Sequence, residues 1–136
     1  MEGQLRCIIR QKWVDASPEE RVRQSILDYL MSYKKYPKGR FSVESVVKVN
    51  GQSRRSDIIV HDEHGKALMV VECKAPDILI DERTLAQIAM YNHTLDAPFL
   101  LLSNGHLHHM FHLDKIRKEM VALDAIPDYI ELHTHA

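Results

Sequence analysis

The sequence predicts an α/β fold, a central mixed sheet flanked by helices. Two observations carry that prediction. The runs Ala67 to Val71 and Phe99 to Leu102 are apolar at every position, the mark of strands covered on both faces. They alternate with segments whose apolar residues recur at helical spacing, an order that argues for a sheet with helices packed against it.

The elements follow in order. Residues 5 to 14 alternate loosely and suit a short strand or arm. Ser17 then precedes Pro18, Glu19 and Glu20. That is an N-cap, a proline at the first helical position, and acids where the helix dipole favours them. Val22, Ile26, Tyr29, Leu30 and Tyr33 continue the helix, which should end near Lys35, before Pro37 and Gly39. Phe41 to Val49 is a Val-rich strand closed by Asn50-Gly51, a strong hairpin signal. Ser56 to His61 and Lys66 to Lys74 read as a second hairpin, turning through Asp62 to Gly65. A helix from about Asp81 to Leu95 places Leu85, Ile88, Ala89 and Leu95 on one face. Phe99 to Leu102 is a buried strand, and Asn104-Gly105 turns the chain into a last strand from about Leu107 to Leu113. The tail is expected to hold a short helix over Lys115 to Leu123 and an extended end over Pro127 to His133.

The 136 residues suit one domain, 1–136, with its core at about 17–113. The apolar share of 45% is enough for a self-sufficient core. The net charge of −1 gives no global attraction to nucleic acid or to an anionic membrane, so binding to either would need a local patch. Cys7 and Cys73 are too few for a disulfide framework, which favours a reducing cytoplasm. The first ten residues lack a signal-peptide run, and no stretch nears the roughly 20 apolar residues that cross a bilayer. No Gly-x-x-x-x-Gly-Lys-Ser/Thr loop occurs, so ATP-driven motor activity is not expected of these residues.

The chemistry centres on Glu72 and Lys74, which interrupt the apolar strand two residues apart and so share a face. Charges at a buried strand end need partners. The preceding strand offers Asp57. A two-residue turn through His64-Gly65 pairs Asp57 with Glu72, and a four-residue loop pairs it with Val70, on the same face. An odd loop without a bulge would turn Asp57 to the other face. Two close carboxylates raise each other's pKa, and a divalent cation relieves this. Mg²⁺ suits hard oxygen ligands. It would acidify water and polarise a phosphoryl oxygen, while Lys74 could orient or deprotonate the attacking water. An ion pair of purely structural purpose, Glu72 or Asp57 with Lys74, explains the spacing equally well.

A resemblance separates the two readings. Arg55-Ser-Asp57-Ile-Ile-Val followed by Met69-Val-Val-Glu72-Cys-Lys74-Ala-Pro76 resembles the PD-(D/E)XK nucleases, and more narrowly the N-terminal domain of type I restriction enzyme R subunits. Ser17 to Gln24, Gln87 to Asn92 and Leu101 to Gly105 are similar to that subgroup's first helix, second helix and following turn, so the likeness spans roughly 17 to 113. Ser56 stands where the name-giving pattern has proline. The resemblance implies a restriction-endonuclease-like core cutting DNA with Mg²⁺ or Mn²⁺. It implies metal ligation by Asp57, Glu72, a first-helix acid and the Cys73 carbonyl, with Lys74 as catalytic lysine. It also implies that Gln87 acts at the site. Tyr91 shares a helix face with Gln87, and Arg54 and Arg55, with Lys34, Lys35, Lys38 and Arg40, are the basic candidates for DNA contact, although ordinary solvated charge explains the Lys34 to Arg40 cluster at least as well. The family pattern selects Glu20 as the first-helix acid, whereas the helical wheel puts Glu19 nearer the apolar face, about 60° from Val22 against about 160° for Glu20. Expected partners are DNA and either a second copy of the chain or restriction-system subunits, with no membrane. A non-catalytic nucleic-acid-binding or assembly module on the same fold is the alternative. His106, His108, His109 and His112 crowd one strand. Zinc, a polar strand face and a phosphate-contacting patch all remain open there.

Overall fold

A computed structural model describes residues 4–6, 13–15, 17–49, 52–77, 80, 97–114, 116–117 and 119–135, and for 4–6, 13–15, 44–49, 52–57 and 135 only the backbone. β1 (Gln4–Arg6) and β2 (Trp13–Asp15) form a small antiparallel sheet, where the sequence suggested a single strand or arm. Helix α1 (Pro18–Ser32) starts as expected, the Ser17 hydroxyl accepting from the Glu20 amide at 3.1 Å. A single 3-10 turn, Lys38–Arg40, leads into the main sheet.

That sheet has six strands in chain order: β3 (Phe41–Val49), β4 (Gln52–His61), β5 (Ala67–Cys73), β6 (Phe99–Ser103), β7 (His108–Asp114) and β8 (Glu119–Leu123). Every neighbouring pair is antiparallel except β5 and β6. Parallel neighbours need a crossover of a dozen or more residues, and the chain between Cys73 and Phe99 provides it. The helix expected over Asp81 to Leu95 falls in that crossover and lies outside the described residues.

The central strands are buried on both faces, as their all-apolar sequences require. Val71, Cys73, Phe99 and Leu101 pack with Val22, Ile26, Leu27 and Leu30 of α1. Val70, Leu100 and Leu102 face the other way, toward Ala97, Ile80 and Phe111. Side chains alternate across a strand, so Glu72 belongs to the face of Val70 and Leu102, away from α1.

Two expectations for the tail are corrected. Lys115 to Leu123 is rich in helix formers, yet Glu119–Leu123 is strand β8, paired with β7 from Met110↔Leu123 to Asp114↔Glu119. Ladder pairing along a sheet edge has overridden local propensity. Pro127 to His133 was expected to be extended, but Tyr129–His135 is helix α2. Its Leu132 is completely buried in the α1-side core, which is what holds so short a helix in place.

Candidate active site

The hairpin joining β4 to β5 sets the geometry. Asp62 closes it: its amide donates to the Lys66 carbonyl at 2.8 Å, and its Oδ1 accepts from the His64 and Lys66 amides at 2.8 and 2.9 Å. Gly65 takes φ +84°, a left-handed conformation that costs glycine nothing. The loop is longer than the two-residue turn expected at His64-Gly65. His61 pairs with Ala67, and the register then shifts so that Val60 pairs with Met69. Leu68 is the extra residue of a β-bulge, and Leu68 and Met69, although adjacent, both enter the α1-side core. The bulge restores the parity that the odd loop removes. From Val60↔Met69 the ladder runs through Ile59↔Val70 to Ile58↔Val71. Asp57 and Glu72 are the next residues in their strands.

The other end of β5 gathers the charges. Glu72 is 7% exposed and pairs across the parallel ladder with Leu102. Lys74, half-buried, lies just past the strand, yet its amide still donates to the Ser103 carbonyl at 2.8 Å. This holds the backbone extended between Glu72 and Lys74, so both positions stay on one face. The turn after β6 is equally fixed. Ser103 Oγ accepts from the Gly105 amide at 3.0 Å, and buried Asn104 accepts from the His106 and Leu107 amides at 3.0 and 2.9 Å.

The first turn of α1 reaches the same end. Gly105, at φ +91°, lies so close to Val22 that a Cβ there would come within 3.2 Å of its Cγ2. Glu20 is two residues before Val22 and is buried, 5% exposed. Its Oε2 is ion-paired with buried Arg23, and its Oε1 accepts from Gln24 Nε2 at 2.9 Å. Glu19 is exposed and meets Arg23 only at 3.5 Å. The wheel had pointed to Glu19. It orders residues around the axis but ignores how far along the axis the neighbours extend, and Ser17, Pro18 and Glu19 all stand in solvent.

Comparison with known proteins agrees with this architecture. Residues 18–127 match the family model described as the type I restriction enzyme R protein N terminus. The chain belongs to that family. A solved fragment described as an HsdR subunit of a type I restriction enzyme, from Vibrio vulnificus YJ016, superposes with a TM-score of 0.63 over 86% of this chain at 17% identity. At that identity the likeness speaks for the fold. This chain spans 25% of the length of that one. No curated protein matches.

Within this R-protein N-terminal domain the remaining candidates divide. Arg54 and Arg55 lie in β4 opposite Val47 and Val46, and like Asp57 they are described by backbone alone. Gln87 and Tyr91 lie outside the described residues. The Cys73 thiol is buried on the α1 side, while its carbonyl ends β5. The histidine segment forms no cluster of three metal-ligating side chains among the described residues. His112 packs on Phe99 with ring centroids 4.8 Å apart, and His109 stacks near Phe111. His106 and His108, with Tyr29, Lys34, Leu107 and Asp124, border an open cavity of about 380 Å³ beside α1. Among the described residues no helix is long and apolar enough to cross a membrane. Arg23 and Gln24 were quoted in the sequence only as part of a resemblance. Their i+3 and i+4 spacing from Glu20 was the signal that could have marked them as its partners.

Proposed function

We propose that this domain is a PD-(D/E)XK nuclease that hydrolyses DNA phosphodiester bonds with Mg²⁺ or Mn²⁺. The observation that supports it most is the placement of buried Glu72 at the carboxyl end of an otherwise apolar strand, with Lys74 two residues on. The first turn of α1, carrying buried Glu20, is brought to the same end. A carboxylate at the end of an apolar strand, beside a second acid from α1, fits a site that holds a cation.

The donor set is chemically suitable. Asp57, Glu72 and Glu20 offer hard carboxylate oxygens and Cys73 a backbone carbonyl, the ligand types Mg²⁺ prefers. The bound cation would supply Lewis acidity to the scissile phosphate and acidify the attacking water. Lys74 orients that water or takes its proton, and offsets charge building on the phosphate. Arg23, ion-paired with it, keeps the Glu20 carboxylate aimed. In this reading Gln87 positions substrate, and Arg54, Arg55 and Tyr91 hold the DNA. Duplex cleavage from one site per chain calls for a second copy or for restriction-system subunits. The setting would be the cytoplasm, where such DNA is met.

Plasmid nicking with Mn²⁺, run on wild type and Lys74→Ala side by side, tests this. Loss of a positioned acid–base group should slow nicking about 10²–10⁴-fold. Equal rates would remove the catalytic assignment. Salt-sensitive DNA binding with no nicking in wild type would favour the binding module.

A further inference from the structure

We propose that His61 and Tyr129 are positioning residues that clamp the β4–β5 bulge and thereby decide which face of the sheet Asp57 occupies. This rests on the nuclease reading only for its consequence in metal binding.

His61 stands where the register shifts. Three elements hold it there. Its Nδ1 lies 3.1 Å from the Gly65 carbonyl and its Nε2 2.8 Å from the Ser42 hydroxyl on β3. A carbonyl can only accept, so Nδ1 carries the proton shared with Gly65. Its backbone carbonyl accepts from the Tyr129 hydroxyl of α2 at 2.8 Å. Tyr129 is itself fixed, its amide donating to the Lys34 carbonyl at 3.1 Å and its ring meeting Tyr36 edge-on at 5.5 Å. The clamp thus joins β3, the turn and the C-terminal helix at one residue.

What it holds is the parity of the hairpin. Continued without the bulge, the His61↔Ala67 register would bring Asp57 opposite Val71, whose side chain belongs to the α1-side core. With the bulge, Asp57 comes opposite Glu72. One residue of slip exchanges the two faces, so a contact far from the charged end controls whether two carboxylates share a site.

Disulfide trapping reads this directly, without metal or turnover. The parent carries Asp57→Cys and Glu72→Cys, with Cys7→Ser and Cys73→Ala to prevent mispairing. Its cross-strand disulfide should close readily. Adding His61→Ala or Tyr129→Phe should lower the closing rate at least about fivefold, because either loosens the register. Ser42→Ala, which removes one bond from the surface strand, should give a smaller loss if His61→Ala fails to fold. Tyr36→Phe, which loses a hydroxyl bond away from the bulge, should close like the parent. If the parent closes and the clamp variants match it, the positioning role is wrong and the nuclease reading is untouched. If the clamp variants slow closure but intact protein shows no Mn²⁺-dependent rise in melting temperature, the clamp stands and the metal site falls. A parent that never closes overturns both.

Discussion

The two ends of β5 lie six residues apart and use polar groups for opposite ends. At the hairpin end several polar contacts complete backbone geometry, beside the side-chain bond between Ser42 and His61. Asp62 caps the turn amides, Tyr129 takes the His61 carbonyl, and Tyr36 donates to the Pro127 carbonyl at 2.8 Å. At the other end, the ionisable side chains of Glu72, Glu20 and Arg23 are buried. Backbone groups must be satisfied for any fold to exist. Buried ion pairs, by contrast, are often no better for stability than apolar residues of the same size. The hairpin end is therefore explained by folding alone, while the charged end calls for a function.

That contrast can be broken by experiment. Removing groups that pack α2 or shape the turn, the His61 and Tyr129 clamp excepted, should cost stability and spare metal binding, and removing Glu72 should do the reverse. Leu132→Ala is the largest expected effect, about 2–5 kcal/mol, since it empties a completely buried site under α2. Urea unfolding measures it. If the proposed metal site exists, saturating Mn²⁺ should raise the melting temperatures of wild type and Leu132→Ala alike, by an amount equivalent to about 2.7 kcal/mol at a hundredfold excess over Kd. Glu72→Gln should lose that rise. A Leu132→Ala variant that also lost it would mean that the two ends are not separable.

Gly65→Ala should follow, at about 1–2 kcal/mol, the cost of forcing a side chain into a left-handed backbone. Space is not the issue, because nothing lies within 4 Å of a Cβ there. Tyr36→Phe is expected to cost about 1 kcal/mol, the net worth of one hydrogen bond. Burial of the phenol, with nearby Asp128 and Glu131 adding to it, holds the Tyr36 hydroxyl protonated well beyond its ordinary range. Its donation to Pro127 should therefore persist into strongly alkaline solution.

The same two ends differ in how much of them could be read in the sequence. The charged end was legible as a placement, because Glu72 and Lys74 stand out against five apolar residues and period-two alternation assigns them one face. The hairpin end was legible as a turn, through Asp62 and Gly65, and its two-residue reading gave the register seen from Val60↔Met69 onward, but the longer loop and the bulge that restores that register were not legible. A bulge depends on where Leu68 and Met69 both find room in the core, which is a property of packing rather than of local spacing. The tail failed for a related reason. Nothing in Lys115 to Leu123 announces that β7 has a free edge beside it, and nothing in Pro127 to His133 shows that Leu132 has a pocket to fill. The crossover residues Gln87 and Tyr91 owe their place in the proposal to the family likeness alone.

The smallest effect expected is also the most selective. The hydrogen bond from the Lys66 amide above all, and less strongly the one from the His64 amide, holds the Asp62 carboxyl below its ordinary value of 3.8, against an opposing effect of desolvation that ranks between the two. A carboxyl with a depressed folded-state pKa contributes stability that is fully present above its unfolded pKa. That contribution is lost as pH falls through the folded value. Wild type should therefore lose stability below about pH 4 more steeply than Asp62→Asn, which keeps an oxygen acceptor for the two amides but cannot titrate. At neutral pH the carboxylate should make wild type the more stable of the two, since charged acceptors bind amides more strongly. Chemical denaturation of both proteins from neutral pH down to acid measures the difference. Parallel curves would mean that the turn amides do not discriminate between charged and neutral Asp62. The hairpin end would then owe its register to the His61 and Tyr129 contacts rather than to the turn.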